Sequence, residues 1–297
     1  MAVRLWVQSW KWQLHSRTEA PPIVDKPPSL AYRPRSVMLS YLGRATLSLL
    51  HYLGELALLF AETIRALFVA PIRWRLFVRQ LVEVGFRSQL VVVVTGAFTG
   101  AVFAAQTYFQ FSRLGMESAV GAVVAVSMFR ELGPVLTGLM VAGRVGAAIA
   151  AEIGTMKVTE QIDALRALGV HPVDYLVVPR FLALLISMPL LVAECVGLGI
   201  LASYFVGTKV LDISEAYYVH TMLNFTSLRD VQMALSKGLV FGVLIVFISC
   251  HQGLNAKEGA VGVGRAPTEA VVIGSLAILI VNFFLSFALN IFFPGGV

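Results

Sequence analysis

Apolar positions run almost unbroken through most of this chain, and the polar ones gather in a few short stretches. Ser88–Ser112, Phe181–Thr208, Gly238–Ala256 and Ala270–Val297 contain no Asp, Glu, Lys or Arg apart from Glu194. Several of these runs are longer than the roughly 20 residues that carry a helix across a bilayer. A further uncharged run, Ser118–Phe129, meets a second, Leu132–Gly143, at the dipeptide Arg130-Glu131. The pattern predicts five transmembrane helices, at Ser88–Ser112, about 119–151, Phe181–Thr208, Val231–Cys250 and Ala270–Pro294. The fold class is an all-α polytopic membrane protein.

The stretches between the runs define the remaining organisation. From Tyr41 to Phe68 the polar residues Arg44, Ser48, His51, Glu55 and Glu62 fall at helical spacing on one face. Such a helix suits the bilayer interface, with one stripe kept wet, and Pro71 ends it. Arg73, Arg75, Arg79 and Arg87 follow with Trp74, a cationic anchor for anionic headgroups. Residues 113–118 form a short turn, 209–230 a mildly acidic loop, and 251–269 a glycine-rich loop. Residues 152–180 are polar enough to leave the bilayer, with a short helix expected over Glu152–Gly169 that carries Lys157, Glu160, Asp163 and Arg166. Before all of this, residues 17–35 hold five prolines and read as a linker. The segment ahead of them, with Trp6, Trp10 and Trp12, reads equally as a membrane-surface segment or a disordered leader. Three regions result: 1–39, a flexible leader and linker; 40–87, the amphipathic interfacial and elbow helices; and 88–297, the five-span domain.

Composition supports the membrane assignment. Hydrophobic residues make up 58% of the chain and charged ones 13%, against about 25% charged in soluble domains; mean hydropathy is +0.80. Of 23 Lys and Arg, 12 lie in residues 1–87, with only 5 of the 17 Asp and Glu. In so apolar a chain this basic excess argues for the positive-inside rule rather than for nucleic acid. It places the N-terminus in the cytoplasm, so five spans leave the C-terminus outside. Arg4 and Lys11 interrupt any signal-peptide core, leaving insertion to the first membrane helix. Cys195 and Cys250 both fall in apolar runs and read as packing residues.

No catalytic or metal-binding constellation stands out. GxxxxGK[ST], HExxH, CxxC and GxSxG are all missing, and GVGRA at 262–266 lacks the strand-then-helix context of a nucleotide loop. The chain reads as a non-enzyme without a cofactor of its own. Energised work would need ATP chemistry on another chain, or an ion gradient.

The candidate chemistry lies in polar groups at membrane depth. Arg130 and Glu131 sit roughly 12 residues, ~18 Å, into the second span. Glu194 falls near the middle of the third span and Lys237 near the start of the fourth. Intramembrane ionisable groups pair with one another or line a watery cavity. Two readings stay open: ion pairs that only hold helices together, or a cavity wall that meets a charged headgroup. Gly133-Pro134 adds a predicted kink, because Pro134 deprives the Arg130 carbonyl of its helical donor. Gly96, Gly100 and Ala104 form a small-residue ridge for close helix packing. Arg144 lies near enough to the cytoplasmic face to snorkel.

Residues 130–180, RELGPVLTGLMVAGRVGAAIAAEIGTMKVTEQIDALRALGVHPVDYLVVPR, closely resemble the signature of MlaE/YrbE-type permeases. These are the membrane subunits of ABC transporters that work with MCE-domain proteins. The likeness extends over about residues 40–295, taking in SRLG at 112–115 and RA at 265–266, and leaves out residues 1–35. It implies a homodimer in the bacterial inner membrane with its C-terminus in the periplasm. Two ABC ATPase subunits, which bind ATP and magnesium, and a hexameric MCE-domain lipid-binding protein would be its partners. The implied cargo is phospholipid or a similar lipid moved between the inner membrane and the MCE partner, toward or from the outer membrane.

Carried over by motif, Glu152–Gly169 would be a cytoplasmic coupling helix docking on the ATPase, with Glu152, Lys157, Glu160, Asp163 and Arg166 as contact residues. Arg130 and Glu131 match the family's buried Arg-Glu pair, and Lys237 matches a lysine of its fourth span. Glu194 has no assignable counterpart. Two other classes compete on the residues alone: an ion-coupled secondary transporter with Glu131 and Glu194 as proton carriers, and a non-transporting membrane scaffold.

Overall fold

The structure, a computed structural model, describes residues 34–69, 73–257 and 259–292. The tryptophan-bearing leader, the linker up to Arg33 and Pro71 lie outside the described residues. The chain divides into two compact units, Met1–His51 and Tyr52–Val297. The first is described only as the N-terminal part of helix α1 (Pro34–Val69), and all five membrane-length helices belong to the second.

With no water in a bilayer to bond backbone groups, a chain this apolar satisfies them within helices. After α1 comes the amphipathic elbow α2 (Trp74–Val84), which leads into the first span, α3 (Gln89–Phe111). The second span is assembled from α4 (Val120–Ser127), α5 (Gly133–Val141) and α6 (Ala147–Val158). Two π-helical turns, Met128–Leu132 and Ala142–Gly146, join the three segments. A short helix α7 (Gln161–Ala167) precedes the third span, α8 (Val178–Phe205). Then follow α9 (Glu215–Phe225), the fourth span α10 (Leu228–Leu254) and the fifth span α11 (Ala260–Phe292).

The five long helices agree with the five expected spans, and no strand occurs among the described residues. Differences fall at the edges. The interfacial helix begins at Pro34, earlier than Tyr41. The external loop is not a simple loop, because α9 folds back under the second span. Its Tyr218 is fully buried and donates its hydroxyl to Ser203 Oγ at 3.1 Å. Glycines make the room: a Cβ at Gly121 would lie 2.8 Å from the Tyr218 carbonyl. Beside α9, the Lys209 ammonium holds the Glu215 carboxyl below the usual carboxylate range.

Packing explains which spans face inward. In α10, 67% of the most apolar stretch is buried, against 28% for the first span and 17% for the fifth. α10 is therefore the central post, packed on α8, α6 and α11. α3 runs along α8 in extensive contact. A Cβ at Gly96 would lie 2.5 Å from the Cys195 carbonyl, and one at Gly100 would collide with the Gly199 backbone. Small residues there let two backbones meet without a side chain between them. One apolar cluster gathers Ile153, Leu184 and Phe241, and a second gathers Met128, Val196 and Tyr218.

Candidate functional site

The site begins with the backbone of the second span. Pro134 has no N–H, so the Arg130 carbonyl lacks its i+4 donor. The helix widens just before it: Met128–Leu132 takes the π form, and the Gly133 N–H donates to the Met128 carbonyl. The freed Arg130 carbonyl does not stay unpaired. Lys237 Nζ, from α10, donates to it. The same ammonium reaches Ser286 Oγ at 2.8 Å and Glu131 Oε1 at 2.9 Å. All three of its protons are thereby used.

Glu131 is held from α11 as well. Asn282 Nδ2 donates to Glu131 Oε2 at 2.8 Å, and Ser286 Oγ lies 2.8 Å from Oε1. Ser286 also lies 2.8 Å from the Asn282 carbonyl, so its single proton serves one acceptor at a time. Arg130 turns elsewhere. Its Nε donates to Asp230 Oδ1 at 2.6 Å. Asp230 Oδ2 in turn accepts the Ser227 N–H at 2.8 Å and the Ser227 hydroxyl at 3.0 Å, closing the N-terminus of α10.

This arrangement corrects the expectation of an Arg130–Glu131 pair. Consecutive residues on a helix do not face one another; these two take partners seven residues apart on α10, two turns or roughly 10 Å. The result is two ion pairs, Arg130–Asp230 and Glu131–Lys237, that join the second and fourth spans, with Asn282 and Ser286 tying in the fifth. They are unequally wet. Asp230 and Lys237 are about 1% exposed, whereas Arg130 and Glu131 are 45% and 47% exposed. Each pair anchors its inner member and presents its outer one. Leu132, the residue after Glu131, also lines a largely apolar groove of about 410 Å³ with Phe98, Thr99, Val102, Phe103 and Gln106.

Other predicted residues are placed differently. Glu194 does not join the network. It lines a separate apolar groove with Leu81, Phe86 and Leu190, and has no ion-pair or hydrogen-bond partner among the described residues. The expected helix over 152–169 is two pieces. Glu152 and Lys157 continue the second span in α6, held helical by the buried Ile153 and by Gly154 packed near Ala256. Glu152 there meets Arg180 of α8 at 2.6 Å. The chain breaks at Glu160, whose φ of 59° is left-handed, and only Gln161–Ala167 forms the separate helix. Ile162 anchors it, fully buried. Asp163 pairs with Arg166 at 2.9 Å and lies 3.8 Å from Lys157. Glu160 stays exposed, as does Leu168 at 77%.

Asp230, Asn282 and Ser286 were missed from the sequence. Asp230 sits at the end of a loop segment, and the other two are uncharged. The i, i+4 spacing of Asn282, Ser286 and Asn290 along the fifth span is the signal that marks a polar stripe. The interfacial helix also has specific partners: Glu55 meets His251 at 2.8 Å and Glu62 meets His171 at 3.3 Å. Among the described residues no group of three or more His, Cys, Asp or Glu is arranged to hold a metal.

Five long apolar helices, a second span interrupted by π-helical turns and a half-wet ion-pair network within them define a multi-pass membrane protein. Comparison with known proteins makes this specific. The model of the family described as Permease MlaE matches residues 77–288. A probable ABC transporter permease of Rickettsia conorii is 45% identical over 244 residues, 82% of this chain and 94% of the relative. One from Synechocystis is 44% identical over 207 residues, covering 70% and 79%. The chloroplastic protein TRIGALACTOSYLDIACYLGLYCEROL 1 of Arabidopsis thaliana is 40% identical over 225 residues, covering 76% and 63%. The chain belongs to the MlaE permease family, the membrane subunits of ABC transporters. An ABC permease works in a membrane with an ATPase partner, which sets aside the ion-coupled alternative.

Proposed function

We propose that this permease moves phospholipids, or lipids of similar shape, between the inner membrane and an MCE-domain partner. ATP hydrolysis would be supplied by separate ATPase subunits that carry the ATP and magnesium. The observation that carries the reading is the half-exposed Arg130 and Glu131 at membrane depth. Asp230 and Lys237 pair with these two side chains from within the protein, and the faces left exposed cost free energy in hydrocarbon unless something polar meets them. An amphiphile with a charged headgroup and acyl chains matches that pair together with the apolar groove that begins at the next residue, Leu132, and includes Phe98 and Val102. The name of the Arabidopsis relative is that of a glycolipid, in keeping with a lipid cargo.

The active unit would be a homodimer whose two halves enclose the lipid. Its support is the fifth span, where Leu276, Ile280, Phe283 and Phe287 are each more than half exposed. The coupling element would be α7 with its flanks. Exposed Leu168 and the unpaired Glu160 offer an apolar and an acidic contact, while Asp163 and Arg166 largely satisfy each other. The N-terminus would lie in the cytoplasm and the C-terminus in the periplasm.

Purification of the intact complex tests the assignment. An ATPase and an MCE-domain protein should co-purify, and extraction should recover bound phospholipid. E160K or D163R should abolish lipid transport while the dimer still forms. Normal transport by both variants would remove the coupling role, and a complex without lipid would remove the cargo.

A further inference from the structure

Arg79 and Arg144 lie far apart in sequence but line one cleft, between the elbow helix α2 and the cytoplasmic half of the second span. The cleft has a volume of about 410 Å³, and its walls also include Glu83, Glu152, Val145 and Ile149. At first sight its charges cancel. They do not, because both acids are already answered from outside it: Glu83 by Arg87 at 2.8 Å and Glu152 by the buried Arg180 at 2.6 Å. Neither Arg79 nor Arg144 has an acidic partner among the described residues. The cleft therefore keeps two uncompensated guanidinium groups.

Arg144 is also held in place. One of its N–H groups donates to Ser88 Oγ at 2.6 Å, and that hydroxyl, 2% exposed, donates to the Val84 carbonyl at 2.6 Å. A buried relay thus fixes the guanidinium and leaves its other donors toward the cleft. Val145 and Ile149 supply an apolar floor behind the charged mouth.

We propose that this cleft binds the phosphate of an anionic phospholipid from the cytoplasmic leaflet, with Arg79 and Arg144 donating to its oxygens. Guanidinium groups match phosphate oxygens with paired donors. The apolar floor fits the glycerol and first acyl carbons, which a soluble phosphate lacks. Bound there, the lipid staples the elbow to α6, the helix that leads into α7. The site is separate from the Arg130–Glu131 network and does not depend on what the cargo is.

Native mass spectrometry on the intact transporter tests this with phosphatidylglycerol, phosphatidylcholine and inorganic phosphate as probes. Phosphatidylglycerol should bind in preference to phosphatidylcholine, and R79Q/R144Q should weaken its binding about tenfold or more. R65Q removes an equal charge from an exposed position of α1 outside the cleft and should leave binding unchanged. R79Q alone, at an exposed residue with no partner to lose, should give part of the effect even if the double variant folds poorly. Millimolar inorganic phosphate should not displace the lipid; if it does so completely, the source is a soluble anion and the lipid assignment falls. Undiminished phosphatidylglycerol binding in R79Q/R144Q, or an equal loss in R65Q, would overturn the site.

Discussion

Lys237→Met tests the central claim that one ammonium serves both an ion pair and a broken helix. The substitution keeps most of the side-chain volume and removes three hydrogen bonds, to the Arg130 carbonyl, Ser286 and Glu131. The carbonyl suffers most, because Pro134 offers no N–H to replace the lost donor. An unpaired buried carbonyl costs about 1–3 kcal/mol. Breaking a fully buried ion pair costs about 3–5 kcal/mol. Here Glu131 is 47% exposed and keeps Asn282 and Ser286, so the ionic part falls to about 1 kcal/mol, within the range of wet pairs. K237M should therefore lose about 2–4 kcal/mol of unfolding free energy.

A second substitution separates the two parts. Pro134→Ala restores an N–H within reach of the Arg130 carbonyl, so P134A/K237M should be less destabilised than the sum of the single variants by about 1 kcal/mol. Glu131→Gln probes the ionic part, and E131Q/K237M should likewise fall short of additivity. Unfolding of the purified protein in detergent, followed by circular dichroism, gives the energies. If K237M lies within about 0.5 kcal/mol of the parent, or if P134A and K237M are strictly additive, Lys237 does not serve the broken helix.

Other substitutions probe the surrounding structure. R130Q strands the buried Asp230 with only its Ser227 bonds; it should cost about 3 kcal/mol in the same melts, and R130Q/D230N should be no worse than R130Q. G100L puts a side chain into the Gly199 backbone, so the first and third spans should separate, read as a loss of monodisperse protein on size exclusion. H251A removes the ring that meets Glu55 at 2.8 Å and packs edge-to-face against Tyr52 with centroids 4.8 Å apart; hydrogen exchange should rise in residues 52–69 and not in α10. E160G relieves a left-handed backbone worth about 1 kcal/mol, so it should raise the melting temperature while weakening ATPase docking.

The long helices could be read from the sequence because their cause is local. A run of apolar residues has one way to satisfy its backbone in a bilayer, and each run carries that instruction alone. α9 escaped because its fixing contact is remote: Tyr218 is buried only where Gly121 and Gly207 leave space for its ring. The break at Glu160 escaped for another reason, since a non-glycine residue at positive φ has no compositional mark.

The ion pairs show the same division more sharply. Periodicity and depth identify Arg130, Glu131 and Lys237 as residues that must find partners, yet they cannot say which. Partnership depends on how α10 and α11 pack against the second span. Asp230, at a predicted loop end, and the uncharged Asn282 and Ser286 gave no sign of depth or need. The freed carbonyl at Arg130 follows from Pro134 by covalent structure alone. Its donor lies 107 residues away from Arg130, on a helix whose own sequence holds no trace of that demand. A membrane protein can thus broadcast where its backbone is broken while concealing what repairs it, because the break is a property of one helix and the repair a property of two.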